Sequence, residues 1–454
     1  MGHRIKKIKD LSLLGLFFTL ILLSDGQALS VTIVAQPMLD AKTPTQAISS
    51  DTSSKESVDT PTKASDEEKK ENDSSTKIIV SSPVDEPVSI SSSIHTQLVL
   101  SQLEHLRKLK EEYQKQIDQT KAWPRWTCIK HAFKLGEEDP VLAVVKKQLA
   151  EYSCFAFSCD DPKEGVKEFT PNFDEKLMNA VKQFQRYHVL DDDGVIGPRT
   201  CKALNLSPKE RLKKIELNIK RWEQLEPSLK GRYVLVNIPT YNLYAMEDSK
   251  VVLSQPVIVG SKSRQTPLFT TNMVSVVLNP SWGVPVKIFV EDKLRKVLNN
   301  PEYLDEHHYT VTDRDGQLIP SSMVDWSHVS RHYFPYTIRQ LPGKYNALGN
   351  IKFILDNKDS IYMHGTPQVT LFNRAARAFS SGCVRLAAPR ELAAWALEGT
   401  GYNSVNKIDE KIKGEQTITV SLSKHIPVHF VYITVWVDGE GKAVFSDDPY
   451  RLDK

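Results

Sequence analysis

From Tyr233 onward the chain is written in short strand-like runs, and this limits its fold more than any other feature. Positions 233–238, 241–246, 251–259 and 272–278 are rich in β-branched and aromatic residues and are parted by Gly, Pro, Asn and Asp. Such residues suit a pleated, half-buried surface, and the turn formers between them interrupt any long helix. Further runs follow at 352–355, 360–363, 417–422 and 428–437. Asp438-Gly439-Glu440-Gly441 then turns the chain into a last one at 442–445. Helical spacing intervenes at 292–298 and 390–397. This half of the chain is expected to be mostly sheet.

Two of its segments carry reactive residues. One is Ile361-Tyr362-Met363-His364-Gly365-Thr366-Pro367; the other is Ser380-Ser381-Gly382-Cys383-Val384-Arg385-Leu386. A cysteine that follows Ser and Gly sits on a small-residue turn, with little bulk around the thiol and backbone N–H groups free to face an oxyanion. A histidine brought beside it can take its proton. Taken singly, the cysteine could equally be a small buried hydrophobe and the histidine a strand-end residue.

Together these segments resemble the signature of the L,D-transpeptidases, the YkuD-type cysteine enzymes that cross-link bacterial peptidoglycan. Short members carry Ser-His-Gly-Cys. Here Ser381 replaces the second His, and Ser-Ser-Gly-Cys-Val-Arg is similar to the larger Gram-negative branch, which carries a peptidoglycan-binding domain. The likeness runs from about Trp123 nearly to the C-terminus. It includes Val276-Val277-Leu278-Asn279-Pro280-Ser281-Trp282, Leu341-Pro342-Gly343, Asn346-Ala347-Leu348-Gly349 and Pro427-Val428-His429-Phe430-Val431-Tyr432. The resemblance implies a multidomain α+β protein. Its parts would be a mostly β L,D-transpeptidase catalytic domain with a capping insertion and a small three-helix peptidoglycan-binding domain.

It also implies site roles. Cys383 would be the nucleophile and His364 the base, with the Gly365 carbonyl holding the other imidazole nitrogen. The Cys383 N–H and the Tyr362 hydroxyl would face the oxyanion. Ser381 and Gly382, on the motif loop, would be oxyanion or substrate-binding positions. Arg385 would hold that loop or a substrate carboxylate, unless a neighbouring acidic residue pairs with it. Trp282, Tyr345 and Asn346 would be groove or packing positions. No cofactor is implied. His328 and His332 are four apart but lack the Glu of a His-Glu-x-x-His site, so no metal is expected.

The N-terminus reads as an export signal. Arg4, Lys6, Lys7 and Lys9 precede an apolar stretch at 11–23, and Gly26-Gln27-Ala28 is a small-residue cleavage site. Cleavage is expected after about Ala28, making 1–28 a signal peptide; retention as an uncleaved inner-membrane anchor is the alternative. The segment 29–93 turns to Ser, Thr, Asp, Glu, Lys and Pro, with no aromatic residue from 31 to 93, and is expected to be a disordered tether. A helical stripe of Val99, Leu103, Leu106, Leu109, Tyr113 and Ile117 marks 94–123.

A helical unit spans 124–208. Asn172 with Glu175 offers a capping-box-like start, and Pro198 opens a short helix. Phe184-Gln185-Arg186-Tyr187-His188 and Asp193-Gly194-Val195-Ile196-Gly197 resemble the type 1 peptidoglycan-binding domain. A linking helix at 209–231 leads into the catalytic part, 232–448, in which 299–345 is the capping insertion. Of five cysteines, Cys128, Cys154, Cys159 and Cys201 lie in or beside the helical unit, and an exported chain could pair them while Cys383 stays free.

The formal charge of +3, from 59 basic and 56 acidic residues, gives no field that would favour nucleic acid. The expected activity is cross-linking of diaminopimelate residues in peptidoglycan stems through a cysteine thioester. The alternatives are a hydrolase on the same site and a non-catalytic wall-binding scaffold. Peptidoglycan tetrapeptide stems are the expected partners as donor and acceptor, carbapenems the expected inhibitors, and other cell-wall enzymes further candidates. The expected location is periplasmic.

Overall fold

The computed structural model describes residues 102–119, 122–128, 131–152, 169–248, 250–439 and 441–454. The expected export signal, the tether, Cys154 and Cys159 lie outside them. No described helix is long and apolar enough to cross a membrane.

The first described helix, α1 (Gln102–Gln119), buries Leu106 and Leu109. Then come α2 (Pro140–Glu151), α3 (Glu175–Tyr187) and α4 (Pro198–Leu204). Asp174 caps α3 by accepting from the Leu177 N–H at 2.7 Å. The expected cap, Asn172, instead accepts from buried Lys146 at 2.9 Å. Proximity decides this: Asp174 directly precedes the helix and its carboxylate reaches the third N–H, whereas Asn172 lies two residues too early. A disulfide joins Cys128 to Cys201. The linking helix α5 (Pro208–Leu225) starts in a reciprocal cap between Ser207 and Glu210.

Strands β1 (Tyr233–Asn237), β2 (Asn242–Glu247), β3 (Lys250–Gly260) and β4 (Phe269–Leu278) begin the main sheet. It is completed by β9 (Ile351–Leu355), β10 (Met363–His364), β11 (Ala378–Ser380), β12 (Val384–Leu386) and β13 (Ile418–Val431). The order is β11-β3-β12-β10-β9-β4-β13-β1-β2, and β2 also pairs with β3, so the sheet closes on itself. The runs expected at 417–422 and 428–437 do not end where the strands do. Positions 418–431 form one strand whose register against β4 shifts between Ser421 and Ile426, and β14 (Val435–Val437) leaves to pair with β15 (Ala443–Phe445). A bulge lets a strand bend without ending, so polar residues inside it do not terminate the pairing.

Both faces of β1 are covered. Val234 and Val236 join the core inside the closed sheet, with Val257, Met273, Phe353, Met363 and Val384. Tyr233 and Leu235 face outward into a second core shared with α1–α5 and the β14–β15 hairpin. This explains an uninterrupted apolar run where one-sided strands alternate.

A third core belongs to residues 282–348. β5 (Trp282–Gly283), β6 (Tyr309–Thr312), β7 (Leu318–Ile319) and β8 (Thr337–Gln340) form a separate sheet ordered β5-β8-β6-β7. Phe289, Val297, Leu304, Trp326 and Ile338 fill it, so most aromatics of this stretch bury in a core of their own. Tyr333 and Tyr345 stay exposed.

Candidate functional site

The site lies where β9, β10 and β12 run side by side. β10 and β12 are parallel, with His364 opposite Arg385 and Met363 opposite Val384. The Val384 N–H donates to Tyr362 O at 3.1 Å, which carries the pairing back one residue. Alternation then fixes the faces. Met363 and Val384 point into the core and are fully buried. Tyr362, His364, Cys383 and Arg385 share the opposite face. On β9, Lys352 stands opposite His364 and joins them, its ammonium 4.0 Å from the centre of the Tyr362 ring.

The His364 ring meets the Gly365 carbonyl through Nδ1 at 2.6 Å. A carbonyl can only accept, so Nδ1 carries the proton and Nε2 is left as the basic nitrogen. Gly349, with a positive φ of +61°, packs against Gly365; a Cβ there would lie 2.7 Å from the Thr366 nitrogen. Only glycine allows this approach, and it holds the His364–Gly365 turn in place.

Cys383 is a free, half-buried thiol. Its thiol donates to Ser360 O at a long 3.9 Å, and Ser360 itself has a φ of 54°. Thiol and imidazole share a face without a direct hydrogen bond. Burial pushes the Cys383 thiol up; the Tyr362 N–H and hydroxyl, Lys352 and Arg385 pull it back part of the way. Burial, with Arg385 and Lys352 nearby, holds His364 down to about 3. The resting pair is therefore a neutral thiol and a neutral imidazole. Both neighbouring cations favour any anion that forms at Cys383.

The motif loop is held on several sides. Gly382 has a φ of +122°. The Ser380 hydroxyl donates to Cys383 O at 2.5 Å and accepts from the Gly382 N–H at 3.2 Å. Arg264 donates to the Ser381 hydroxyl at 2.7 Å and to both oxygens of Asp292 at 2.7 Å, and it pairs with Glu291 at 2.5 Å. Arg331, from the cap, also pairs with Glu291. Glu291 and Asp292 sit on a π-helical turn, Phe289–Lys293.

The remaining expected residues divide. Arg385 donates to the Gln368 side chain at 2.8 Å, and among the described residues no carboxylate pairs with it. Trp282 is buried, and its indole N–H lies against the Tyr362 hydroxyl without a well-formed hydrogen bond. Tyr362 also packs against the cap core, so the cap reaches the site through this pair. Tyr345 is exposed and stacked on His308 at 5.3 Å.

Asn346 does not face the site. It is buried, its Nδ2 donates to the carbonyls of Pro280, Gln340 and Leu341, and its Oδ1 accepts from the Leu348 N–H. Of the two roles expected for it, groove or packing, it takes the packing one: both ends of the amide are spent on backbone groups. Sequence reasoning missed Lys352, Arg264 and Gln368. Lys352 had a signal, a lone cation within the apolar run Ile351-Lys352-Phe353-Ile354-Leu355. Arg264 and Gln368 sit in loops without a pattern.

Comparison with known proteins gives two family matches. Residues 231–411 match the YkuD family, "L,D-transpeptidase catalytic domain", and residues 141–204 match a "Putative peptidoglycan binding domain". A Haemophilus influenzae protein described as "Putative L,D-transpeptidase" is 35% identical over 255 residues, which cover 56% of this chain and 50% of that protein. The match thus spans about half the length of that curated relative. Among solved structures, an L,D-transpeptidase from Stackebrandtia nassauensis aligns at 14% identity over 67% of this chain and 97% of its own, with a TM-score of 0.24. The catalytic domain of an E. faecium L,D-transpeptidase acylated by ertapenem aligns at 11% identity over 45% of this chain and 98% of its own, with a TM-score of 0.21. At such scores neither structure carries an argument about this site.

Proposed function

We propose that the chain, whose residues 231–411 match the L,D-transpeptidase catalytic domain of the YkuD family, cross-links peptidoglycan stems through a thioester on Cys383. The observation that supports this most is the shared face of Tyr362, His364, Cys383 and Arg385, fixed by the parallel pairing of β10 with β12. Cys383 Sγ attacks the carbonyl between diaminopimelate and the terminal D-Ala of a tetrapeptide stem as its proton passes to His364 Nε2. The tetrahedral oxyanion faces the Cys383 N–H, with the Tyr362 hydroxyl close to the sulfur. His364 returns the proton to the leaving D-Ala amine. An amine of a second stem then attacks the thioester, giving its proton to His364 and restoring the thiol.

Lys352 and Arg385 suit this substrate class. Stem peptides bring carboxylates, and two half-buried cations beside the nucleophile would steer them. The helical unit would seat the enzyme on the wall, as its match to a peptidoglycan-binding domain supports. Export to the periplasm fits the N-terminal segment and the Cys128–Cys201 bridge, which an oxidising compartment would preserve. Carbapenems would acylate the same thiol.

Incubation with disaccharide-tetrapeptides, read by mass, tests the proposal. The expected products are a cross-linked dimer and free D-Ala. Tripeptides with no dimer would instead assign the site to hydrolysis, and no change at all would refute both.

A further inference from the structure

Within the proposed acyl transfer, the Cys383 N–H must point at the oxyanion, and something must keep it there. Gly382 precedes it with a φ of +122°, and a peptide that follows a glycine rotates at small cost. A flipped Gly382–Cys383 peptide would present its carbonyl where the N–H should be. That would repel the oxyanion instead of binding it.

The peptide is locked from its far side. Thr266, only 1% exposed, donates its hydroxyl proton to Gly382 O at 2.6 Å. The direction of that bond is set, because the same hydroxyl accepts from the Gly260 N–H at 2.9 Å. In a planar trans peptide the C=O and the next N–H point in opposite directions. Holding Gly382 O toward Thr266 therefore turns the Cys383 N–H away from it. Among the described residues no acceptor meets that N–H, so it is left free.

Thr266 is itself held by the C-terminal segment. Its N–H donates to the Tyr450 hydroxyl at 3.1 Å, and that hydroxyl donates to Gly260 O at 2.7 Å. Gly260, Thr266 and Tyr450 thus form a closed, buried set of hydrogen bonds with one donor aimed outward, at Gly382.

We propose that Thr266 is a positioning residue for acyl transfer: by fixing the Gly382–Cys383 peptide it presents the Cys383 N–H to the oxyanion, with Tyr450 holding it from behind. This rests on Cys383 being the nucleophile. It assigns the threonine no contact with substrate.

The test compares two reactions of one thiol. Alkylation by iodoacetamide displaces iodide and forms no oxyanion; acylation by p-nitrophenyl acetate or by a tetrapeptide stem does. Thr266→Val keeps the shape without the hydroxyl, and Thr266→Ser keeps the hydroxyl. Thr266→Val is expected to alkylate within about twofold of wild type and to acylate roughly a hundredfold more slowly, the loss typical of one oxyanion donor. Thr266→Ser should recover most of the acylation rate. Equal losses in both reactions would reduce Thr266 to a structural residue, and unchanged acylation would overturn the proposal outright.

Should Thr266→Val fail to fold, Tyr450→Phe reads the same split with a smaller expected loss, and wild-type acylation there would also overturn it. The ester arm separates this inference from the function on which it rests. A wild-type enzyme that is acylated by the ester on Cys383 but ignores stems would sink the peptidoglycan reading and leave the Thr266 comparison intact.

Discussion

Arg264 donates to the Ser381 hydroxyl at 2.7 Å while holding both carboxylate oxygens of Asp292. One guanidinium thus ties the loop that carries Cys383 to the helical turn that opens the cap. Cutting it should loosen the cap against the nucleophile. Arg264→Met is predicted to retain alkylation of Cys383 while products shift from cross-linked dimers toward hydrolysed tripeptides. Ser381→Ala removes one contact of this set and should shift them less. A product ratio equal to wild type in Arg264→Met would show that the tie has no bearing on acceptor choice.

Cys383→Ala should abolish cross-linking and hydrolysis and leave the melting temperature close to wild type, because the thiol is small and half-buried and its hydrogen bond to Ser360 O is long, at 3.9 Å. A carbapenem should add one drug mass to the intact wild-type protein and none to this variant. An adduct mapped to another residue would contradict the assignment of the nucleophile.

The proton inventory predicts a pH profile. With His364 held down to about 3 and the thiol pushed up by burial, no imidazolium–thiolate pair exists at neutral pH. The alkylation rate should climb about tenfold per pH unit from pH 6 to beyond 9 as thiolate forms. A plateau beginning near pH 6 would mean an ion pair instead. Stability should fall on the acid side. His188, His364 and His429 are all lowered by burial. Below about 6.5 the unfolded chain binds protons that the folded one refuses, so stability is full above that pH and declines as pH drops. Melting temperatures at pH 7 and pH 5 check this, and an equal or higher value at pH 5 would be the contrary result.

Trp326 anchors the cap core, 5% exposed, with its N–H on Ser321 O at 3.0 Å. Trp326→Ala should cost the cap about 3–5 kcal/mol, as large-to-small core substitutions do. Because the main sheet has a separate core, the cap should loosen locally. Proteolysis should appear within 299–345, and hydrolysis should gain on transfer as water reaches the thioester. Unchanged protease resistance in that stretch would argue that the cap is not an independent layer.

Non-reducing peptide mapping should find Cys128 joined to Cys201 and Cys383 unpaired. Reduction should lower the melting temperature of the helical unit, since the bridge spans a separation of 73 residues and limits its unfolded chain. A native bridge to Cys383 would be incompatible with the proposed chemistry.

The sequence by itself determined the class of most described segments and singled out the two candidate reactive residues. Runs of β-branched and aromatic residues after Tyr233 specify strands, Pro198 specifies a helix start, and the His-Gly and Ser-Ser-Gly-Cys-Val-Arg segments single out His364 and Cys383. These signals are local: each depends on residues within a few positions of one another. Only the tertiary structure decided which residues surround the thiol. Lys352 joins the site because β9 lies beside β10, and Arg264 and Thr266 reach the motif loop from more than a hundred positions away in sequence. Tertiary packing also made Asn346 a backbone brace, one of its two expected roles, and gathered most aromatics of 299–345 into their own core. No local pattern encodes such neighbours, because strand order and loop closure are set by how all the apolar faces bury at once. The free direction of the Cys383 N–H follows from that same closure.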